Sequence, residues 1–76
     1  MIKKYFKTDK KSIVLIQFVL EGYEHMANVT TLDAEEALIR VSIAEDFLDD
    51  INGVLKFLKT KHRLQELPSA EILQRR

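Results

Sequence analysis

The sequence predicts an α+β fold in which two helices cover one face of a small antiparallel β-sheet. Two stretches, at 2–8 and 37–43, alternate apolar and polar residues with the period of two expected of half-buried strands. The stretch at 47–58 instead repeats its apolar residues at helical spacing. With 76 residues the chain has room for one domain. We assign that domain to 1–67 and a C-terminal tail to 68–76.

The first strand, at 2–8, places Phe6 and Thr8 on one side and Tyr5 on the other. Its lysines predict a position near the edge of the sheet. The polar residues that follow break the strand, and Asp9 is a good N-cap for a helix.

The first helix is predicted from Asp9 to Gly22, since glycine readily takes the left-handed conformation that closes a helix. The run at 12–20 is nearly all apolar, so a β-hairpin formed by 2–8 and 12–20 is the alternative. As a helix, the run carries more apolar surface than one sheet can cover. We therefore predict an interface with a partner subunit at Ile13, Ile16 and Leu20.

Strands at 26–32 and 37–43, joined by a polar turn at 33–36, should form an antiparallel hairpin. The second helix follows, with acidic residues at its start and basic residues at its end, as the helix dipole favours. Ser42 and Glu45 have the spacing of a capping box. Gly53 inside this helix suggests close approach to another backbone.

The pattern weakens towards the C-terminus. Residues 64–67 suit either a short fourth strand or the fraying end of the second helix, and Pro68 stops either. Beyond it, 69–74 could form one helical turn capped by Ser69.

The order strand, helix, strand, strand, helix and possibly strand is that of a ferredoxin-like sandwich, and 2–67 resembles a minimal ACT-type domain. The run at 20–32, the acidic turn and Ile39 and Val41 also resemble a family of short, stand-alone bacterial proteins with no assigned function. The ACT resemblance implies paired domains that bind amino acids at their interface, beside the turn after the first strand. In that family an acidic residue and a glycine occupy the turn, whereas here Asp9 is followed by Lys10 and Lys11.

Composition limits the classes of function. Twelve basic and twelve acidic residues cancel, so the net charge gives no general attraction to nucleic acid. With no cysteine to form disulfides, so short a chain is expected to gain stability by forming a homo-oligomer, a dimer first. The same lack of cysteine, no apolar run near 18 residues and no signal-peptide core predict a cytoplasmic protein without a membrane segment.

Catalytic signatures are absent from the sequence. No nucleophile motif, metal-ligand spacing or phosphate-binding glycine pattern occurs, so we predict no enzyme, no metal and no cofactor. His25, beside Glu21 and Glu24, is a conceivable general base, but a solvated loop histidine is the simpler interpretation.

The sequence therefore predicts a regulatory or binding module. A small-molecule or protein ligand is expected at the turn formed by Asp9, Lys10 and Lys11. The alternative is an RNA-binding module on the open face of the sheet. Its residues would be Lys3, Tyr5, Lys7 and Arg40, although the face lacks the set of aromatic side chains on which bases usually stack.

Overall fold

The computed structural model describes residues 1–68. The strands are β1 (Ile2–Lys7), β2 (Ala27–Asp33), β3 (Leu38–Ile43) and β4 (Gln65–Leu67), and the helices are α1 (Lys10–Glu21) and α2 (Leu48–Lys61). A 3-10 turn, Glu45–Phe47, leads into α2. The helical turn predicted at 69–74 lies outside the described residues, as does nearly all of the predicted tail.

The sheet has four strands in the order β2-β3-β1-β4, and every neighbouring pair is antiparallel. This order, with helices after β1 and β3, is that of a small ferredoxin-like sandwich, so the predicted fold class is confirmed. The β2–β3 hairpin is confirmed too, with Val29 opposite Val41. β4 resolves the ambiguity at 64–67 in favour of a strand.

β1 is a central strand, which contradicts the expected edge position. It pairs along its length with β3, and its second half pairs with β4, where Tyr5 lies opposite Leu67. The lysines of β1 misled the prediction because Lys3 and Lys7 lie on the open face of the sheet, where a central strand can carry lysine. Lys4 is on the other face, and its Nζ lies 3.9 Å from Glu66 Oε2.

The helical assignment of α1 is confirmed and excludes the hairpin alternative for 12–20. The Ser12 backbone N–H donates to Asp9 Oδ1 at 2.9 Å, so Asp9 is the predicted N-cap. Gly22 follows the last residue of α1, but its φ of −66° is right-handed, so the left-handed closure is wrong. The chain instead continues through turns to Met26.

Two predictions about α2 are also corrected. Ser42 is buried within β3 and no side chain of residues 1–68 caps α2, so the capping box does not form. A Cβ added at Gly53 would meet nothing within 4 Å, so no backbone of the described chain approaches this glycine.

The core lies between the helices and the sheet. Phe6 from β1, Ile39 from β3 and Ile51 from α2 are completely buried there. A second, smaller apolar cluster lies on the opposite face of the sheet, where Leu38 and Leu67 are buried and Tyr5 and Leu32 pack against them. The pairing register of β2 with β3 shifts between Thr31 and Asp33, and Leu32, which lies at this shift, packs in the cluster.

Candidate functional site

The turn after β1 holds the predicted ligand residue Asp9 in a structural role. Its carboxylate accepts the Ser12 N–H, and this hydrogen bond holds the pKa of the Asp9 carboxyl below its ordinary value. The nearby Arg63 guanidinium acts in the same direction. Asp9 is therefore a charged cap held by the first turn of α1.

The structure separates the other two predicted ligand residues from Asp9. Lys10 Nζ lies 3.1 Å from Glu35 Oε2, in an exposed ion pair between α1 and the β2–β3 turn. Lys11 is also exposed. Neither side chain lines the groove beside Asp9.

That groove lies between the end of β1 and the connection from α2 to β4, and its volume is about 570 Å³. It forms because β4 returns antiparallel to β1, which places Lys7 opposite Gln65. One side consists of Lys7, Thr8 and Asp9, and the other consists of Lys59, His62, Arg63, Leu64 and Gln65.

The second side of the groove was missed as a site. The basic residues at the end of α2 were explained by the helix dipole alone, and nothing in their spacing indicates that β4 brings them beside the end of β1. The sequence does carry one signal, since 1–11 and 56–76 each have a net charge of +4 while 12–55 has a net charge of −8, and the two sides of the groove come from these two basic segments.

Two polar groups in the groove have no bonding partner among the described residues. Thr8 is 8% exposed, and its hydroxyl Oγ1 is buried without a hydrogen bond. The Arg63 side chain forms no hydrogen bond and no ion pair within 4.0 Å among residues 1–68. Its neighbour Lys59 instead lies 3.5 Å from Glu66 Oε1.

The four residues of the RNA alternative share the open face of the sheet. Tyr5 lies directly opposite Arg40 across β1 and β3, and the alternation of β1 puts Lys3 and Lys7 on the same face. Arg40 Nε is buried and has no hydrogen-bond partner in the part of the chain that the structure describes. Lys7 Nζ, in contrast, donates to the Glu36 carbonyl at 3.1 Å.

The predicted interface residues of α1 are corrected. Ile16 and Leu20 are buried in the chain's own core and Ile13 is partly buried against it, so they offer little surface to a partner. The exposed apolar residues lie on the other side of the helix. They are Val14, Leu15 and Phe18, with 66%, 49% and 75% of their surface accessible. We call these three residues the α1 patch.

The remaining candidates are placed as follows. The His25 ring packs edge-to-face against Phe47, with ring centroids 5.9 Å apart. Within residues 1–68, no three histidine or acidic side chains gather as a metal ion would require. Neither α1 nor α2 is long and apolar enough to span a bilayer.

Comparison with known proteins identifies a family. The sequence model of a family described as Domain of unknown function (DUF4911) matches residues 6–61, which is well over half of the chain. No curated protein and no solved structure matches the chain.

Proposed function

The chain belongs to the DUF4911 family, and from that premise we propose that it is a non-catalytic, homo-oligomeric binding module whose subunits meet through α1. The observation that carries the proposal is the α1 patch. Val14, Leu15 and Phe18 are exposed on a helix whose opposite side already contributes to the core. Contiguous exposed apolar side chains of this kind are typical of interaction sites.

A second copy of the chain is the partner that the charges on α1 favour. Lys11 lies at the start of the helix and Glu21 at its end, on either side of the patch. Both are exposed, and neither forms an ion pair with a described residue. In a twofold antiparallel packing of two α1 helices, Lys11 of each copy would approach Glu21 of the other. The two helix dipoles would also point in opposite directions, which places the positive end of each helix near the negative end of the other.

The oligomeric state tests this proposal directly. We expect a dimer at tens of micromolar in light scattering coupled to size-exclusion chromatography. Phe18→Asp should weaken the dimer at least about a hundredfold, because each dimer contains two copies of a buried aromatic residue. The matched control is Phe57→Asp, which alters an exposed phenylalanine of α2 and should leave the dimer intact.

Charge reversal tests the antiparallel arrangement. Lys11→Glu alone should weaken the dimer, and adding Glu21→Lys in the same chain should restore it. A monomeric wild-type chain at 100 micromolar, or a double variant no better than the single one, would falsify the arrangement.

A second candidate function, RNA binding, is favoured by one observation. Arg40 lies beside Tyr5 at the centre of the open face and has no ion-pair partner among the described residues. Lys3 and Lys7 add positive charge to that face. Filter binding to single-stranded RNA at rising salt is the test. A salt-dependent affinity that Arg40→Gln reduces would support this candidate, and no binding at low salt would eliminate it.

A further inference from the structure

The groove beside Thr8 contains a polar group that the described residues leave unsatisfied. The Thr8 backbone is satisfied, because its N–H donates to the Ala37 carbonyl at 3.0 Å. Thr8 is more than nine-tenths buried, and its hydroxyl has no hydrogen bond to any residue of the described chain. Buried hydroxyls are rarely left without a partner, so the Thr8 hydroxyl is a candidate partner for a water or a ligand atom at the groove.

The charges around Thr8 indicate the sign of that group. Among residues 1–68, three cationic side chains line the groove, namely Lys7, Lys59 and Arg63, and Asp9 is the one acidic side chain that lines it. Lys59 is partly neutralised by Glu66, and Lys7 is directed to a backbone carbonyl. Arg63 is near enough to Asp9 to lower the pKa of that carboxyl, but none of the described residues holds Arg63 in a hydrogen bond or in an ion pair within 4.0 Å.

The repulsion between Asp9 and an anion in the groove is weaker than the charge of Asp9 alone suggests. One of its carboxylate oxygens accepts the Ser12 N–H, at the N-terminus of a helix of 12 residues. The positive end of that helix dipole and the first-turn N–H groups therefore act against the Asp9 charge.

We infer that this groove binds the oxyanion of a small molecule, a phosphoryl or carboxylate group, with Arg63 as its main cation and the Thr8 hydroxyl as a hydrogen-bond partner. A guanidinium suits such a group because it can donate two parallel N–H bonds to paired oxygens. A volume of about 570 Å³ is the size of small-molecule sites. The inference rests on the proposed role as a binding module, but not on self-association.

Titration of the full chain with inorganic phosphate or succinate, followed by two-dimensional amide NMR, is the test. We expect shifts concentrated at the amides of Thr8, Asp9 and Arg63 and of their neighbours. Tighter binding of phosphate would indicate a phosphoryl ligand, and tighter binding of succinate would indicate a carboxylate ligand. Arg63→Gln should weaken binding about tenfold, the usual effect of losing one charge-assisted hydrogen bond. Thr8→Val should weaken it by a smaller factor.

Matched variants separate a built site from general attraction to lysines. Lys56→Gln removes one positive charge from an exposed position of α2 outside the groove and should leave binding unchanged. Arg63→Lys keeps the charge and should recover part of the affinity. Circular dichroism shows whether each variant is folded. If an Arg63 variant does not fold, Lys59→Gln, which removes another cation of the groove, is tested in its place.

Two results would overturn the inference: no localised shift with either probe at tens of millimolar, or equal weakening by Arg63→Gln and Lys56→Gln. Light scattering on the same samples reports self-association independently. A dimer without anion binding would therefore contradict only the groove, and anion binding by a monomer would contradict only the interface.

Discussion

Single residues at the end of β1 combine structural and binding roles. Asp9 caps α1 through the Ser12 N–H, and the adjacent Thr8 has a buried hydroxyl without a partner among residues 1–68. A cap of this kind is visible in sequence because an acceptor side chain precedes the helical run. The unsatisfied hydroxyl is not, because it depends on what packs around Thr8.

The Asp9 cap should make the free energy of unfolding depend on pH. Because the pKa of folded Asp9 is below its unfolded value, the cap's stabilisation is fully present above the ordinary carboxyl pKa of about 3.9. It is lost as the pH falls through the lower, folded value. In urea unfolding between pH 5 and pH 2, the wild type should lose more stability than Asp9→Asn, a variant that keeps a capping side chain. If the free energies of unfolding of the wild type and of Asp9→Asn fall by the same amount over this pH range, the charge of Asp9 adds nothing to the cap.

Thr8→Val should stabilise the ligand-free chain. It replaces a buried, unpaired hydroxyl with a methyl group of similar size, and both residues suit extended backbone. We expect the free energy of unfolding to rise by about 1 kcal/mol, measured by urea denaturation without added anion. A decrease would mean that the hydroxyl has a hydrogen-bond partner.

At the scale of elements, α1 and α2 differ in how clearly their sequences define a buried face. In α2, Ile51, Leu55 and Leu58 are buried as the helical spacing predicts. In α1 the apolar residues surround most of the helix, so periodicity leaves its orientation open. Packing against the sheet then selects Ile16 and Leu20 as core residues and leaves the α1 patch in solvent.

Gly53 offers a test at the same scale. It lies inside α2 with open space around the position of a Cβ, so Gly53→Ala should raise the free energy of unfolding by about 1 kcal/mol. Gly22→Ala is the control. Gly22 lies beyond α1 in a right-handed conformation that alanine also adopts, so its change should stay within about 0.5 kcal/mol. Both are measured by chemical denaturation, and destabilisation by Gly53→Ala would indicate contact with another chain.

For the molecule as a whole, small size makes assembly relevant to stability. A domain of 76 residues is expected to have a free energy of unfolding of about 4–11 kcal/mol, so burial of the α1 patch would be a substantial addition. The small cluster around Leu38 and Leu67 shows that the open face of the sheet also contributes some burial.

If the dimer forms, the melting temperature should depend on protein concentration. Association stabilises the folded chain by mass action, so Tm should rise by several degrees between about 5 and 500 micromolar. Phe18→Asp should abolish that dependence and Phe57→Asp should preserve it. Differential scanning fluorimetry across this range measures the effect, and a wild-type Tm independent of concentration contradicts a dimer that dissociates within it.

The sequence by itself determined the local structure of β1, β3 and α2 and the N-cap of α1, whereas the structure decided between helix and hairpin at 12–20 and made 64–67 a strand. The alternation in β1 and β3, the Asp9 cap and the spacing in α2 all act within a few residues, so they can be read along the chain. Only the tertiary structure decided that β1 is central, which side of α1 is buried, and that Arg63 lies across a groove from Thr8. The physical reason is that these features depend on contacts between distant segments, and the short strand β4 creates the groove by pairing with β1.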